Sequence, residues 1–283
     1  STAGRFERVW RRARRNPVAL GMSYALLLSL AILGGLAWKS AQRERWADSE
    51  RWALREEYLV ELSRSGGALL DAALARRALG DLAGSRRHAD QLQESIARLQ
   101  RLEPTLAEPW FFQGRRLRAL GDEAAAEEAQ TEAIRRAEAP GATQGSRALL
   151  RQARYERGAL RAQRYGRARE ERRIELLAAR VRREDSPGPA AFRFPSTAEV
   201  EAAFPEVAEA KAGAIEDLAA QATGELPAGP PRARWLAARG LLAVLGEDPV
   251  GGARLLEDAL SHDPYLEEVY TALAGVATAG ERW

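Results

Sequence analysis

The chain has 283 residues, with 43 lysines and arginines against 40 acidic residues, and it contains no cysteine. The absence of cysteine excludes disulfides, thiolate nucleophiles, cysteine-ligated zinc, iron–sulfur clusters and covalently attached c-type haem. Alanine, leucine, arginine and glutamate dominate while β-branched residues are scarce, which predicts an all-α protein.

The first feature along the chain is an uncharged stretch of 22 residues, Pro17–Trp38. As a helix it would be about 33 Å long, enough to cross a hydrocarbon core of roughly 30 Å. Pro17 suits a first helical turn, Trp10 and Trp38 bracket the stretch as interfacial anchors, and Gly34–Gly35 lets a neighbouring helix approach. We predict a transmembrane helix over residues 17–38. A cleaved signal peptide is the rival interpretation, but its apolar region would be only about 7–15 residues long.

The basic residues on either side of this stretch predict its orientation. Six arginines lie in the short tail, residues 1–16: Arg5, Arg8, Arg11, Arg12, Arg14 and Arg15. Five basic residues follow the stretch: Lys39, Arg43, Arg45, Arg51 and Arg55. Because the arginines of the tail are closer together, the positive-inside rule favours a cytoplasmic N-terminus. In a bacterium the span would then lie in the inner membrane, in contact with lipid, and the C-terminal part in the periplasm.

The next segment is predicted to continue the span as a juxtamembrane helix over residues 39–67. It contains no proline or glycine before Gly66, and Leu54, Tyr58 and Leu62 recur every four residues. This spacing places apolar side chains on one helical face. The pair Gly66–Gly67 is expected to end or kink the helix.

A 34-residue stretch, residues 107–140, combines small residues at regular positions with an aromatic residue and a large apolar one. Small residues let two antiparallel helices cross closely, and large residues fill the gaps between neighbouring pairs. The stretch resembles one tetratricopeptide repeat in length and in these residues: Trp110, Gly114, Leu117, Gly121, Ala126 and Ala133. Gln130 departs from the pattern, because an aromatic or aliphatic residue is usual there.

Two further segments repeat parts of this pattern. The sequence at residues 78–81, ALGD, is echoed at residues 119–122, although the stretch from Gly80 to Pro104 is about two helical turns longer than the repeat pattern allows between these positions. Near the C-terminus Gly252 takes a place where alanine is usual, while other positions are in register: Gly240, Ala259 and Pro264. The resemblance implies a helical solenoid with repeats over residues 68–140 and 232–283, the last helix being a cap.

Between these repeats, residues 141–231 are predicted to form an arginine-rich helix and an irregular helical insert. Six arginines recur at spacings of three and four: Arg147, Arg151, Arg154, Arg157, Arg161 and Arg164. A solvated face, contact with an acidic partner or anionic headgroups, and nucleic-acid binding remain open. No aromatic side chains interleave the arginines and the domain is tethered to a membrane, which argues against nucleic acid.

The sequence offers little for catalysis. His88 and His262 have no carboxylate or second histidine at ligand spacing apart from Asp263, and Gly251–Gly252 lacks the lysine and serine of a phosphate-binding loop. The acidic residues of one helix face are interpreted as solvated surface: Glu123, Glu127 and Glu128. We therefore predict no enzymatic activity, no metal or cofactor, and no small-molecule substrate.

The order of a basic tail, one span and helical repeats is similar to that of bacterial inner-membrane accessory subunits of the protein-translocation machinery. We expect a non-enzymatic scaffold that docks to a larger membrane complex through its span and offers its curved repeat surface to a partner protein. Two alternatives stay open. One is a structural brace in a respiratory or photosynthetic complex, either a reaction centre or a light-harvesting complex; the other is a translocon-associated, chaperone-like subunit.

Overall fold

The computed structural model describes residues 52–183, 192–227, 229 and 231–280, with isolated residues in the N-terminal region: 4, 29, 32–34, 36–40, 42–43 and 46. The chain divides into two compact units, Ser1–Glu57 and Tyr58–Trp283. All regular structure in the described residues is helical, and these residues include no strand. The predicted all-α class is confirmed.

The described residues of the first unit include only part of the predicted span. Ile32, Leu33 and Leu36 are helical and expose more than half of their surface, as does Trp38. Among the described residues, no helix combines the length and the apolar character that crossing a bilayer requires. Most of residues 17–38, with Pro17 and Gly35, lies outside the described residues, as does Trp10. The transmembrane helix therefore stays a prediction.

The described part of the second unit contains eleven α-helices, which we number in chain order. They are α1 (Gly67–Ala78), α2 (Leu82–Gln91), α3 (Gln93–Leu102), α4 (Glu108–Leu120), α5 (Glu123–Ala137), α6 (Gln144–Arg183), α7 (Thr197–Ala203), α8 (Pro205–Ala222), α9 (Pro231–Leu245), α10 (Pro249–His262) and α11 (Glu267–Gly280).

Gly66 and Gly67 do not end the juxtamembrane helix, so that part of the prediction is wrong. Residues 58–61 are α-helical, Leu62–Gly66 form a short π-helix, and α1 follows directly. Gly66 keeps right-handed helical angles, with φ −62° and ψ −42°. A Cβ at this position would lie 3.4 Å from Leu62 and 3.7 Å from Phe112, so the helix stays packed here. The irregularity takes the form of π-helical turns.

Three helix pairs form the framework: α1 with α2, α4 with α5, and α9 with α10. The first two pairs stack on each other, and the extra residues after the first pair form a separate helix, α3, which begins after Leu92. The long helix α6 joins the two halves of the unit. Its Ala153 belongs to the core of the first half, whereas Tyr155, Ala159 and Tyr165 belong to the core of the second.

Two glycines with positive φ form the turns that connect the helices of the first two pairs. Gly80 and Gly121 have φ angles of +80° and +88° and end α1 and α4, so both serve the turns, and Gly121 also leaves room for the guanidinium of Arg77. An aspartate follows each glycine and caps the next helix, since Asp81 accepts a bond from the Gly84 N–H and Asp122 one from the Ala125 N–H. This shared turn is the physical reason for the echoed ALGD sequence.

Gly114 and Gln130 pack together where α4 crosses α5. A Cβ on Gly114 would lie 2.5 Å from the amide nitrogen of Gln130, which is buried and donates a hydrogen bond of 3.2 Å to the carbonyl of Phe111. The glutamine therefore occupies the space that the glycine leaves open. Its departure from the repeat pattern is explained by this bond.

The third pair crosses even more closely. A Cβ on Gly252 would lie 2.9 Å from the carbonyl oxygen of Gly240 and 2.7 Å from a methyl group of Val244. Alanine would not fit there without a backbone shift. The remaining positions of the repeat pattern divide between buried alanines, a partly buried tryptophan and an exposed turn proline: Ala126, Ala133 and Ala259; Trp110; and Pro264.

Candidate functional site

The C-terminal helix α11 does not extend the helical array; it returns to its beginning. It packs against α9, α10 and α6, and its first turn also contacts α1. There the guanidinium of Arg77 lies 3.7 Å from the carboxylate of Glu267. The helical array of the second unit therefore closes on itself, in contrast to the open curved surface that the repeat resemblance implied.

A cleft of about 120 Å³ lies where this closure occurs. We call it the inner cleft; its walls come from α1, α4, α6 and α9, with the start of α11 and the turn before it completing the boundary. The four helices contribute five charged side chains to the cleft: Asp71, Arg115, Arg118, Glu156 and Arg234. The cleft is therefore lined mainly by charged groups.

At the centre of this closure is a set of four side chains, Arg118, Tyr155, Glu156 and Glu268, which we call the Arg118 cluster. Arg118 donates hydrogen bonds of 2.8 Å to Glu156 and 2.7 Å to Glu268, and the Tyr155 hydroxyl also donates to Glu268. The charged side chains are at most 5% exposed. The cluster thus ties α4, α6 and α11 together through buried charge-assisted hydrogen bonds.

Arg115 extends this network toward α1. Its Nη2 lies 2.5 Å from the carboxylate of Asp71, and its Nε lies 3.2 Å from Glu156. The second contact lacks hydrogen-bond geometry, so the buried Nε has no hydrogen-bond partner among the described residues. Glu156 therefore compensates two arginines, and Arg118 is shared between two glutamates.

The two neighbouring glutamates at the start of α11 have opposite pKa shifts. Burial raises the pKa of Glu268, but the Arg118 guanidinium and the Tyr155 hydroxyl together lower it by a larger amount. The net pKa of Glu268 therefore lies below the ordinary value. Burial raises the pKa of Glu267, and the carboxylates of Glu268 and Glu123 raise it too. The guanidinium groups of Arg118 and Arg77 lower it by less, so the net pKa lies above the ordinary value. Glu268 is therefore a stabilising anion, and Glu267 an under-compensated one.

This difference predicts opposite effects of the same substitution at adjacent positions. We expect Glu268→Gln to lower the free energy of unfolding at pH 7 by about 1.5–3 kcal/mol, because it weakens bonds to a buried charge. Glu267→Gln should cause no loss or a small gain. A carboxyl with a raised folded pKa destabilises when ionised, so this gain should fade as the pH approaches the ordinary glutamate pKa of about 4.3. Urea unfolding at pH 7 and pH 5 measures both effects, and equal losses would contradict the assignment.

The arginine stripe of α6 is largely paired within the chain. Arg157 and Arg161 both reach Asp217 of α8, at 2.7 Å and 3.1 Å, and Arg161 and Arg164 reach Glu127 of α5, at 2.9 Å and 2.7 Å. Arg154 pairs with Glu138. Four of the six arginines are therefore engaged within the chain, and contact with an acidic partner or with lipid headgroups stays a prediction. Arg147 and Arg151 are exposed and form no ion pair with described residues.

The acidic face of α5 is solvated only in part. Glu127 lies between helices and pairs with α6 as described, which the interpretation from the sequence did not include. Glu123 pairs with Arg167 and is partly exposed, and Glu128 is exposed. Sequence reasoning missed these pairs because it considered the charges of each helix separately.

The residues of the Arg118 cluster were not predicted as a site. One signal was present: Arg77 and Arg118 occupy the same position in the two ALGD turns, two residues before the leucine. Both approach the start of α11, at Glu267 and Glu268 respectively. The echoed turn could therefore have identified two equivalent basic side chains.

The histidines and the remaining anchor residue add no site. His262 lies 3.9 Å from Asp258, and the Nδ1 of the partly buried His88 has no hydrogen-bond partner among the described residues. Within that same part of the chain, no three histidine or acidic side chains are arranged to hold a metal ion. Gly34 has no atom within 4 Å of its Cβ position.

Comparison with protein-family models, with curated proteins and with solved structures gives no match. The likeness to tetratricopeptide repeats therefore depends on the residues and the helix packing described above.

Proposed function

We propose that the chain is a non-enzymatic accessory subunit, anchored in a membrane by one span, whose helical domain braces other subunits of a larger complex. The single observation that carries the brace is the Arg118 cluster, which closes the helical array. In this proposal the helix pairs are tetratricopeptide-like repeats, interrupted by α3 and by the insert around α6. The bacterial inner membrane and a periplasmic location of the domain remain part of the proposal.

The closed array favours a brace over a receptor for exchangeable clients. A client on the inner face would have to displace the start of α11 and separate Glu268 from Arg118. Breaking a buried, hydrogen-bonded ion pair typically costs about 3–5 kcal/mol. A client could open the array only by binding the open form more tightly by at least this amount. A domain whose array is already closed by its own last helix is better suited to present its outer surfaces.

The membrane anchor is supported by the sequence of residues 17–38 and by the exposure of its described residues. Ile32, Leu33 and Leu36 are apolar, helical and exposed, so the described residues leave them uncovered. Lipid or a neighbouring transmembrane helix would supply that cover. A span also raises the local concentration of the domain beside its complex without any further contact.

The experiment that tests this proposal is extraction of the tagged full chain from its native membranes. We expect the chain to resist alkaline carbonate and, in mild detergent, to copurify with the same subunits in a fixed ratio. Leu27→Arg combined with Leu28→Arg should release it, because these positions are at the middle of residues 17–38 and each central arginine costs about 2.5–3.5 kcal/mol in a bilayer. Release of the unmodified chain by carbonate, or a monomer in mild detergent, would contradict the proposal. Variable, substoichiometric partners would favour a client-binding role.

A further inference from the structure

The α1–α2 turn and the α4–α5 turn have the same sequence and the same construction. Both use a glycine with positive φ followed by an aspartate that caps the next helix. In the α1–α2 turn an ion pair of 2.7 Å between Arg76 and Asp81 adds to this. The two turns can therefore be compared residue by residue.

The leucines of these two turns have different surroundings. Leu120 is partly buried, because it packs against a cluster formed by Ala73, Leu74 and Ala89 of the preceding helix pair and Ala119 of its own helix. Leu79, at the same position of the earlier turn, is 82% exposed, and Leu82 is 62% exposed. Leu79 has the largest exposed fraction of the large apolar side chains in the described residues. The leucine of the α4–α5 turn is thus covered by the neighbouring helix pair, whereas the equivalent leucine of the α1–α2 turn is uncovered.

The exposed leucines belong to an ordered turn. The Gly84 N–H and the Arg76 guanidinium hold the pKa of Asp81 below its ordinary value, and the Leu79 N–H bonds to the carbonyl of Ala75. Ordering this turn in advance removes part of the entropy cost of binding. Arg86 and Arg87 lie in the following helix, are exposed, and form no ion pair with the described residues.

We propose that Leu79 and Leu82 form the docking surface for a helix pair of another subunit, which stacks on α1–α2 as α1–α2 stacks on Leu120. This inference rests on the proposed function, since it requires a complex. The chain's own stacking gives the chemistry of the partner: small apolar residues opposite the leucines, as Ala73 and Ala89 are opposite Leu120. Acidic residues beside them would pair with Arg86 and Arg87.

A second copy of the chain is a poorer fit than a different subunit. Head-to-tail stacking of copies would need a free C-terminal end of the array to reach Leu79. Instead α11 folds back onto α1 and α6, and Glu268 is held by the Arg118 cluster. The last helix is thus engaged within its own chain. We therefore expect a different chain to cover Leu79 and Leu82.

The first test replaces both leucines in the full chain, as Leu79→Glu with Leu82→Glu. We expect the yield of copurified subunits to fall at least tenfold, while the thermal unfolding midpoint and the carbonate resistance stay unchanged. Leu82 begins α2, where an acidic residue is favourable, so the fold should tolerate the change. Val250→Glu is the matched control, since Val250 is 65% exposed at the start of α10. Unchanged yield with the leucine variant would overturn the inference.

The second test places a photo-crosslinking amino acid at position 79 and irradiates native membranes. A crosslink to a helical segment of another subunit, mapped by mass spectrometry, is the expected result. Crosslinks only to lipid, only to a second copy, or to nothing would overturn the inference. These outcomes differ from failure of the proposed function itself, in which the unmodified chain would leave the membrane or purify as a monomer.

Discussion

Arg118→Met is expected to lower the free energy of unfolding of the helical domain by about 3–5 kcal/mol, because it leaves two carboxylates buried without their cation. Glu156 and Glu268 are almost fully buried and both accept hydrogen bonds from Arg118. Urea unfolding of the full chain in detergent measures the loss. Arg135→Met is the matched control, and we expect little change from it, since Arg135 is exposed and its partner Glu132 lies beside it on the same helix.

The pH dependence of this loss tests its origin. In the unmodified chain the pKa of Glu268 is lowered, so its contribution is complete above the ordinary glutamate pKa and is lost as the pH falls through the folded value. Without Arg118, burial of the carboxylate dominates and protonation relieves the cost. The difference between variant and unmodified chain should therefore narrow from pH 7 to pH 5. A constant difference would mean that lost packing, not unpaired charge, causes the destabilisation.

Gly252→Ala is expected to lower the free energy of unfolding by about 1–3 kcal/mol, because the backbones of α9 and α10 lie so close at this crossing that the added methyl group would overpack it. The carbonyl oxygen of Gly240 would lie 2.9 Å from the new Cβ and cannot move independently of α9. Thermal or urea unfolding measures the effect.

Gly166→Ala is the control for this substitution. It lies within α6 and has no atom within 4 Å of its Cβ position. Alanine there should stabilise the helix by about 0.5–1 kcal/mol, since glycine loses more conformational freedom on folding. Similar effects at positions 252 and 166 would contradict the close crossing of α9 and α10.

The sequence predicted the helices well because their signals are local. The ALGD turns and the tight crossing at Gly114 both depend on residues that are near in sequence or on the length of a repeat. Gly66–Gly67 was predicted to end a helix, but packing against Phe112 overrides the weak helical propensity of glycine there. Gln130 looked like a departure from the pattern until its bond to Phe111 was known.

The Arg118 cluster could not be predicted for a different reason. Arg118 and Glu268 are 150 residues apart, and nothing local distinguishes this glutamate from the other acidic residues of the chain. The pairing of the α6 arginines could not be predicted either, because their acidic partners lie on α8, on α5 and just after α5. Pairing between distant helices depends on how the array closes, and a degenerate repeat pattern does not specify that closure.

The closed array connects the fold to the proposed role. A buried network ties the last helix to the beginning and middle of the domain, so the array is closed around the inner cleft without any partner. The surfaces left for other subunits are then the outer ones, among which the α1–α2 turn exposes two leucines. This arrangement suits a subunit that stays in its complex at fixed stoichiometry.

The position of α11 is the central claim, and pulsed electron spin resonance tests it most directly. The chain has no cysteine, so Arg87→Cys and Tyr270→Cys give two unique spin-label sites on exposed positions of α2 and α11. We predict one narrow distance distribution for the full chain, which broadens toward longer distances when Glu268→Lys is added. A broad distribution in the chain without that change would mean that α11 moves freely and that the inner face is open, which would contradict the closed array and the brace.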